Sequence, residues 1–145
     1  MPNVREIVEI AAPAEKVFEF VARPERATMF VPGLNRISNV STAQPGVGQT
    51  WDYEFNWFGL VILGKSTCKQ FKKPSEYQFQ TEGGARRTWT YRVDPQGKGT
   101  RLTLEVAYEL PKDLVTRVAA EGILEKMNQN RAREAVANVK ALLEP

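Results

Sequence analysis

The sequence predicts an α+β domain in which seven antiparallel strands are closed by one long C-terminal helix. Three observations carry that expectation. Residues 51–57 alternate strictly, with Trp51, Tyr53, Phe55 and Trp57 on one face and Asp52, Glu54 and Asn56 on the other, the period of a half-buried strand. Residues 112–143 contain no proline and space their apolar side chains at helical intervals. Opposite charges also fall opposite each other when the intervening segments are folded into hairpins, as cross-strand pairing favours.

The elements follow in order. Residues 4–10 read as a strand. Pro13 suits the first turn of a helix whose apolar face is Val17, Phe18 and Val21. Pro24 opens a second short helix, with Met29 and Phe30 expected to face inward, and Pro32-Gly33 stops it. Residues 34–42 read as a strand with broken alternation, the mark of a bulge. Residues 44–48 form a loop, and the 51–57 strand turns back at Gly59-Leu60 into a strand running to Lys72. That turn sets Glu54 opposite Lys65. Strands 76–82 and 86–94 flank Gly83-Gly84, which sets Glu82 opposite Arg86, Glu76 opposite Arg92, Tyr77 opposite Tyr91 and Phe79 opposite Trp89. The last strand, 100–110, sets Asp94 opposite Arg101 and Arg86 opposite Glu109, and Pro111 ends the sheet. Along the helix, the apolar stripe of Val115, Val118, Ala119, Gly122 and Ile123 rotates by roughly a quarter turn to Ala132, Val136, Val139 and Leu143.

Composition excludes several chemistries. The 145 residues carry 20 basic and 17 acidic side chains, a surplus of +3 that calls for neither nucleic acid nor an anionic membrane. There is no histidine, so no Ser-His-Asp or Cys-His machinery exists within the chain. The single cysteine, Cys68, cannot form an internal disulfide. No metal-ligand spacing, cofactor fingerprint, signal peptide or membrane-length apolar run is present, so the expectation is one cytoplasmic domain over residues 1–145, with no metal and no cofactor.

The register names an inward face. It carries Trp51, Tyr53, Phe55, Trp57, Phe79, Trp89, Tyr91 and Tyr108, with Leu104 and Val106. The inward phase of the 60–70 strand is Ile62, Gly64, Ser66 and Cys68, small residues amid rings, which leaves room for a guest. The candidate ligand-binding set is these rings with Gly64, Ser66 and Cys68, plus Phe30, Arg87, Ile123 and Met127. Arg87, inward between Thr81 and Tyr108, is suited to a ligand carboxylate or phenolate, or else snorkels to water. Tyr53, Tyr91 and Tyr108 are candidate hydrogen-bond donors, and Asn128 and Asn130 candidate polar groups. No Asp or Glu is placed on this face, and no residue is assigned a catalytic role.

The order of elements resembles the START-like or helix-grip superfamily of Bet v 1-type proteins, polyketide cyclases and lipid-transfer domains. The carrying residues are Ile10-Ala11-Ala12-Pro13-Ala14-Glu15-Lys16-Val17-Phe18, Val21-Ala22-Arg23-Pro24-Glu25, Phe30-Val31-Pro32-Gly33, Val47-Gly48-Gln49-Thr50-Trp51 and Gly97-Lys98-Gly99-Thr100-Arg101-Leu102-Thr103-Leu104. The chain looks most like the polyketide cyclase/dehydrase-type subgroup. The resemblance implies a curved sheet gripping the C-terminal helix over a cavity for a lipid, polyketide or aromatic metabolite. It implies no shared catalytic residues. A carrier or sensor of a small hydrophobic molecule is the expected function. A cyclase or dehydratase, and an RNA- or protein-interaction module, are the alternatives. Homodimerisation is left open.

Overall fold

A computed structural model gives the fold of residues 3–57, 59–83, 86–109 and 118–144, without the side chains of Trp57 and residues 118–124. Strand β1 (Asn3–Ile10) is followed by helix α1 (Ala14–Val21) and a 3-10 helix (Pro24–Met29). A meander follows: β2 (Leu34–Ser38), β3 (Thr50–Trp57), β4 (Leu60–Lys72), β5 (Glu76–Glu82), β6 (Arg87–Gln96) and β7 (Gly99–Tyr108). Helix α2 (Val118–Leu143) closes the chain. The strands form one antiparallel sheet in the order β1-β7-β6-β5-β4-β3-β2. The two short helices between β1 and β2 therefore carry the chain from one sheet edge to the other. The architecture is the helix-grip arrangement of a curved sheet and a C-terminal helix.

Pro13 precedes α1 in an extended conformation, where its missing N–H is no loss. Ala14, Val17, Phe18, Phe20 and Val21 are buried, and Glu15 lies in the first turn, favourable to the helix dipole. The next segment is a 3-10 helix. Its tighter winding buries Phe30 but turns Met29 outward at 56% exposure, against the expectation that both face in.

The β5–β6 and β6–β7 registers are as the charges indicated. Glu76 faces Arg92, Tyr77 faces Tyr91, Phe79 faces Trp89, Asp94 faces Arg101, and Arg87 stands between Thr81 and Tyr108. The expected Glu82–Arg86 pairing involves a turn outside the described residues, whereas the Glu109 amide does donate to the Arg86 carbonyl. The β3–β4 turn differs. Trp57 pairs with Leu60, so Gly59 lies within the turn at φ +89° rather than opening it. Lys65 consequently faces Asp52, and Glu54 faces Leu63. The shift is by two residues, so every side chain keeps its face. β2 has the expected irregularity, between Leu34 and Arg36, but ends at Ser38. Asn39 leaves the strand at φ 53°, with its amide on the Asp52 carboxylate. A second irregularity, between Cys68 and Gln70, had no signal in the sequence.

The C-terminal half of α2 lies across β1 and β7. Ala132, Val136, Val139 and Leu143, the second of the two stripes read from the sequence, are buried there together with Ala135. The first stripe, and residues 112–117 of the expected helix, lie outside the described side chains. Leu102 and Leu104 are fully buried on β7, each worth about 1.5–3 kcal/mol. Glu6 shares a face with Leu104, because the two are directly opposite in the β1–β7 register. It is an inward-phase carboxylate that the sequence reading did not place. At the sheet edge it pairs with Arg133 of α2 at 2.8 Å. At the far end of α2, Glu144 accepts from the Ala11 amide at 2.8 Å and from Lys140 at 2.6 Å, fastening the helix to the β1–α1 corner. Among the described residues no helix is long and apolar enough to cross a membrane.

Candidate functional site

The site grows from one row of the sheet. Trp51, Ser66, Thr81, Arg87 and Tyr108 are neighbours across five strands, each directly opposite the next. Ser66 is the small member, and above it the inner face stays open. The next row sets Cys68, Phe79 and Trp89 side by side. Phe79 stacks on Trp89 at 5.8 Å between centroids with 9° between planes, and meets Trp51 edge-on at 5.2 Å. Tyr77 and Tyr91 stack at 6.3 Å one row further on.

The roof comes from the segment between β1 and β2. Val21, Arg23, Pro24, Ala27, Phe30 and Val31, then Leu34 and Ile37, close over the rings. The cavity they leave is partly open and has a volume of about 50 Å³. At roughly 10–15 Å³ per water this is room for a few waters, so a larger guest requires side chains to rotate away. Among the described residues none from α2 lines it. The expectation of a space between sheet and C-terminal helix is met instead by a second cavity of about 30 Å³, lined by Val4, Phe55, Arg87, Trp89, Tyr108, Asn128, Arg131 and Ala135 among others. Val31, Phe55, Arg87 and Trp89 line both and form the partition.

Of the sequence candidates, Phe30, Trp51, Tyr53, Phe55, Ser66, Phe79, Arg87, Trp89 and Tyr91 line the first cavity. Tyr108 lines the second. Gly64 does not open space. The Tyr53 hydroxyl reaches across it to donate to the Glu82 and Gly83 carbonyls at 3.0 and 2.9 Å, and a Cβ at Gly64 would collide with Tyr53 and the Glu82 carbonyl oxygen. Cys68 is packed shut rather than lining a cavity, its Sγ 3.4 Å from the Gln70 carbonyl, and burial pushes the thiol pKa up to about 11. Met127 is half-buried and lines neither cavity, and Asn130 is exposed, whereas Asn128 lines the second. Trp57 and Ile123 lie outside the described side chains.

Several lining residues were missed. Tyr77 was legible from its pairing with Tyr91, and Thr81 from its pairing with Arg87. Arg23 and the 3-10 helix had no comparable signal, since strand register says nothing about what covers a face. The Tyr77 hydroxyl and Arg23 Nε are buried without a hydrogen-bond partner, and both residues line the first cavity. Burial raises the pKa of Tyr77, Tyr91 and Tyr53, so all three are neutral donors near pH 7. Arg87 is partly buried. Its guanidinium lies over the Phe55 ring at 5.2 Å, and burial draws its pKa below the ordinary value. Arg131 Cζ is 5.8 Å from the same ring, while its guanidinium donates to the Pro32 carbonyl at 3.1 Å and more weakly to that of Asn56 at 3.4 Å. Among the described residues there is no cluster of groups that could hold a metal ion.

Residues 1–144 match the family profile described as polyketide cyclase / dehydrase and lipid transport. Comparison with curated proteins gives no match. Solved structures that resemble the chain include TTHA0849 from Thermus thermophilus, with TM-score 0.83 and 20% identity over 98% of this chain and 97% of that one. A START superfamily protein from Mycobacterium smegmatis matches with TM-score 0.62 and 16% identity, over 91% of this chain and 96% of that one. BexL, a di-domain ARO/CYC from the BE-7585A biosynthetic pathway, matches with TM-score 0.77 and 17% identity over 99% of this chain and 50% of that protein. At these identities the likeness is one of fold.

Proposed function

We propose that this chain, which belongs to the polyketide cyclase/dehydrase and lipid transport family, binds a small ring-containing apolar molecule as a carrier or sensor. The ligand enters the cavity beneath the 3-10 helix. The observation that carries this reading is the lining: Trp51, Phe79 and Trp89 present ring faces and edges around Ser66, with two buried donors, Tyr77 Oη and Arg23 Nε, left to be satisfied. A flat ligand with an acceptor oxygen suits both features. The described lining residues include no Asp, Glu or Cys, which favours binding over proton-transfer chemistry. Because the cavity is small at rest, binding is accompanied by rotation of lining side chains.

The test is a fluorescence titration with phenylnaphthylamine, a neutral probe that brightens in apolar surroundings. Saturable binding is expected. Ser66→Leu, which fills the cavity from the sheet side, is expected to weaken it at least about tenfold, the equivalent of about 1.4 kcal/mol, with the circular dichroism unchanged. An equal affinity in the folded variant would place the ligand elsewhere, and no saturable binding by the wild type would overturn the reading.

A further inference from the structure

We infer that the ligand is a neutral carbonyl compound, its oxygen received at the N-terminal end of the 3-10 helix by the Tyr77 hydroxyl together with Arg23 Nε. This rests on the binding reading above and names the polar group of the ligand. Tyr77 is 1% exposed and lines the first cavity, and its hydroxyl has no hydrogen-bond partner among the described residues. Its ring is held in register between Phe71 and Tyr91, with Phe79 at 5.6 Å between centroids, so the hydroxyl is fixed before a ligand arrives. Arg23 stands at the start of the 3-10 helix, lines the same cavity, and has its Nε buried and equally unsatisfied. A folded chain seldom leaves a buried donor unpaired, because the group has given up water and gained nothing in return. Two such donors on one small cavity mark where a guest supplies the missing acceptor.

The donors set the chemistry of that group. A guanidinium only donates, whereas a tyrosine hydroxyl donates or accepts. A ligand hydroxyl would have to give its own hydrogen to Tyr77 in order to serve Arg23, and the Tyr77 hydrogen would stay unused. A carbonyl oxygen has two lone pairs and no hydrogen, so it accepts from both. A carboxylate fits less well. The Tyr77 pKa is raised first by burial, then by Cys68 and Tyr91, and also by Glu25 in the first turn of the 3-10 helix, whose charge would repel a second anion. The aromatic body lies one row away. Phe79, two residues from Tyr77 on the same face of β5, meets Trp51 edge-on and stacks on Trp89. A carbonyl conjugated to a ring keeps to the ring plane, so a flat body over Phe79 carries its oxygen toward Tyr77.

The experiment compares two fluorescent probes with one skeleton: dimethylaminonaphthalene, and acetyl-dimethylaminonaphthalene, which adds a conjugated carbonyl. The wild type is expected to bind the ketone about tenfold more tightly, the scale of one hydrogen bond to a charged donor. Tyr77→Phe removes only the hydroxyl. Both probes meet the altered wall, so the ratio of their affinities is read, and it is expected to fall at least about threefold. The emission of the bound ketone, which moves to the red when its carbonyl accepts a hydrogen bond, is expected to move to the blue. Without ligand, Tyr77→Phe is expected to melt no lower than the wild type, because the hydroxyl it loses is unsatisfied there. Arg23→Met, at a half-buried position on the roof, is expected to lower the same ratio and serves if Tyr77→Phe does not fold. Equal affinity of the wild type for the two probes, a ratio that survives the substitution in a cooperatively melting variant, or a lower melting temperature for ligand-free Tyr77→Phe would overturn the inference while leaving the binding reading standing. If neither probe binds the wild type, the binding reading itself fails.

Discussion

The inner face of this sheet is finished in two different ways. On the β1–β7 side it meets the C-terminal half of α2, where Ala132, Ala135, Val136 and Val139 are almost wholly buried and the second cavity reaches only the Ala132–Ala135 end. On the β3–β6 side it faces a 3-10 helix of six residues across the first cavity, and the sheet side chains lining that cavity are mostly rings, with Ser66 among them. An α-helix brings a small side chain to the same face every three or four residues and can lie close to a sheet. A short 3-10 helix offers fewer contacts, and stacked rings do not interdigitate as branched aliphatics do. One side of the sheet is therefore core, and the other holds the space.

The sharpest way to break this contrast is at Gly64. Any Cβ there collides with the Glu82 carbonyl and Tyr53, so Gly64→Val is expected to destabilise by about 3–5 kcal/mol, read as a fall in the urea midpoint. A neutral result would mean Gly64 faces space after all. Next comes a matched pair. Val139→Ala removes two methyl groups from the solid side, where Val139 is fully buried, and is expected to cost about 1–3 kcal/mol. Ser66→Ala on the open side is expected to change stability by less than about 1 kcal/mol. Similar losses at both sites would erase the distinction between the two halves.

The smallest effect is chemical. Cys68 is fully buried and its thiol is pushed up to about 11, so iodoacetamide is expected to leave the native protein unmodified at pH 8 and to label it on unfolding. The sign of the linkage follows. Burial keeps the native thiol protonated, so between about 9 and 11 the unfolded chain loses a proton that the native chain holds. Stability is complete below about pH 9 and declines as pH rises through that window, with Tyr77 and Tyr91 acting in the same direction above their ordinary value of 10.0. Melting temperatures that are flat from pH 8 to pH 11 would contradict the burial of these groups.

Much of the fold was legible because strand pairing is local and charges mark it. Glu76 with Arg92 and Asp94 with Arg101 fixed two registers, and with them the inward faces of Phe79, Trp89 and Tyr91. Where the turn was misplaced, at Gly59, the error was an even number of residues and no side chain changed face. The candidate site was half legible for the same reason. Register names what points inward, but not what covers it, so Arg23, Pro24 and Ala27 had no signal. It also says nothing of how a side chain bends once inside. Tyr53 folds over Gly64 to reach two backbone carbonyls and fills the gap that the small residue was expected to leave. That decision is made by a hydrogen bond between strands 29 residues apart, which no periodicity encodes.

The most direct measurement is a nitrogen-correlated NMR titration with phenylnaphthylamine. The indole signals of Trp51 and Trp89, which line the cavity, are expected to shift, while the amides of Val136 and Val139 on the solid side stay still. Shifts concentrated at Val136 and Val139, with the two indoles unmoved, would contradict a ligand site beneath the 3-10 helix.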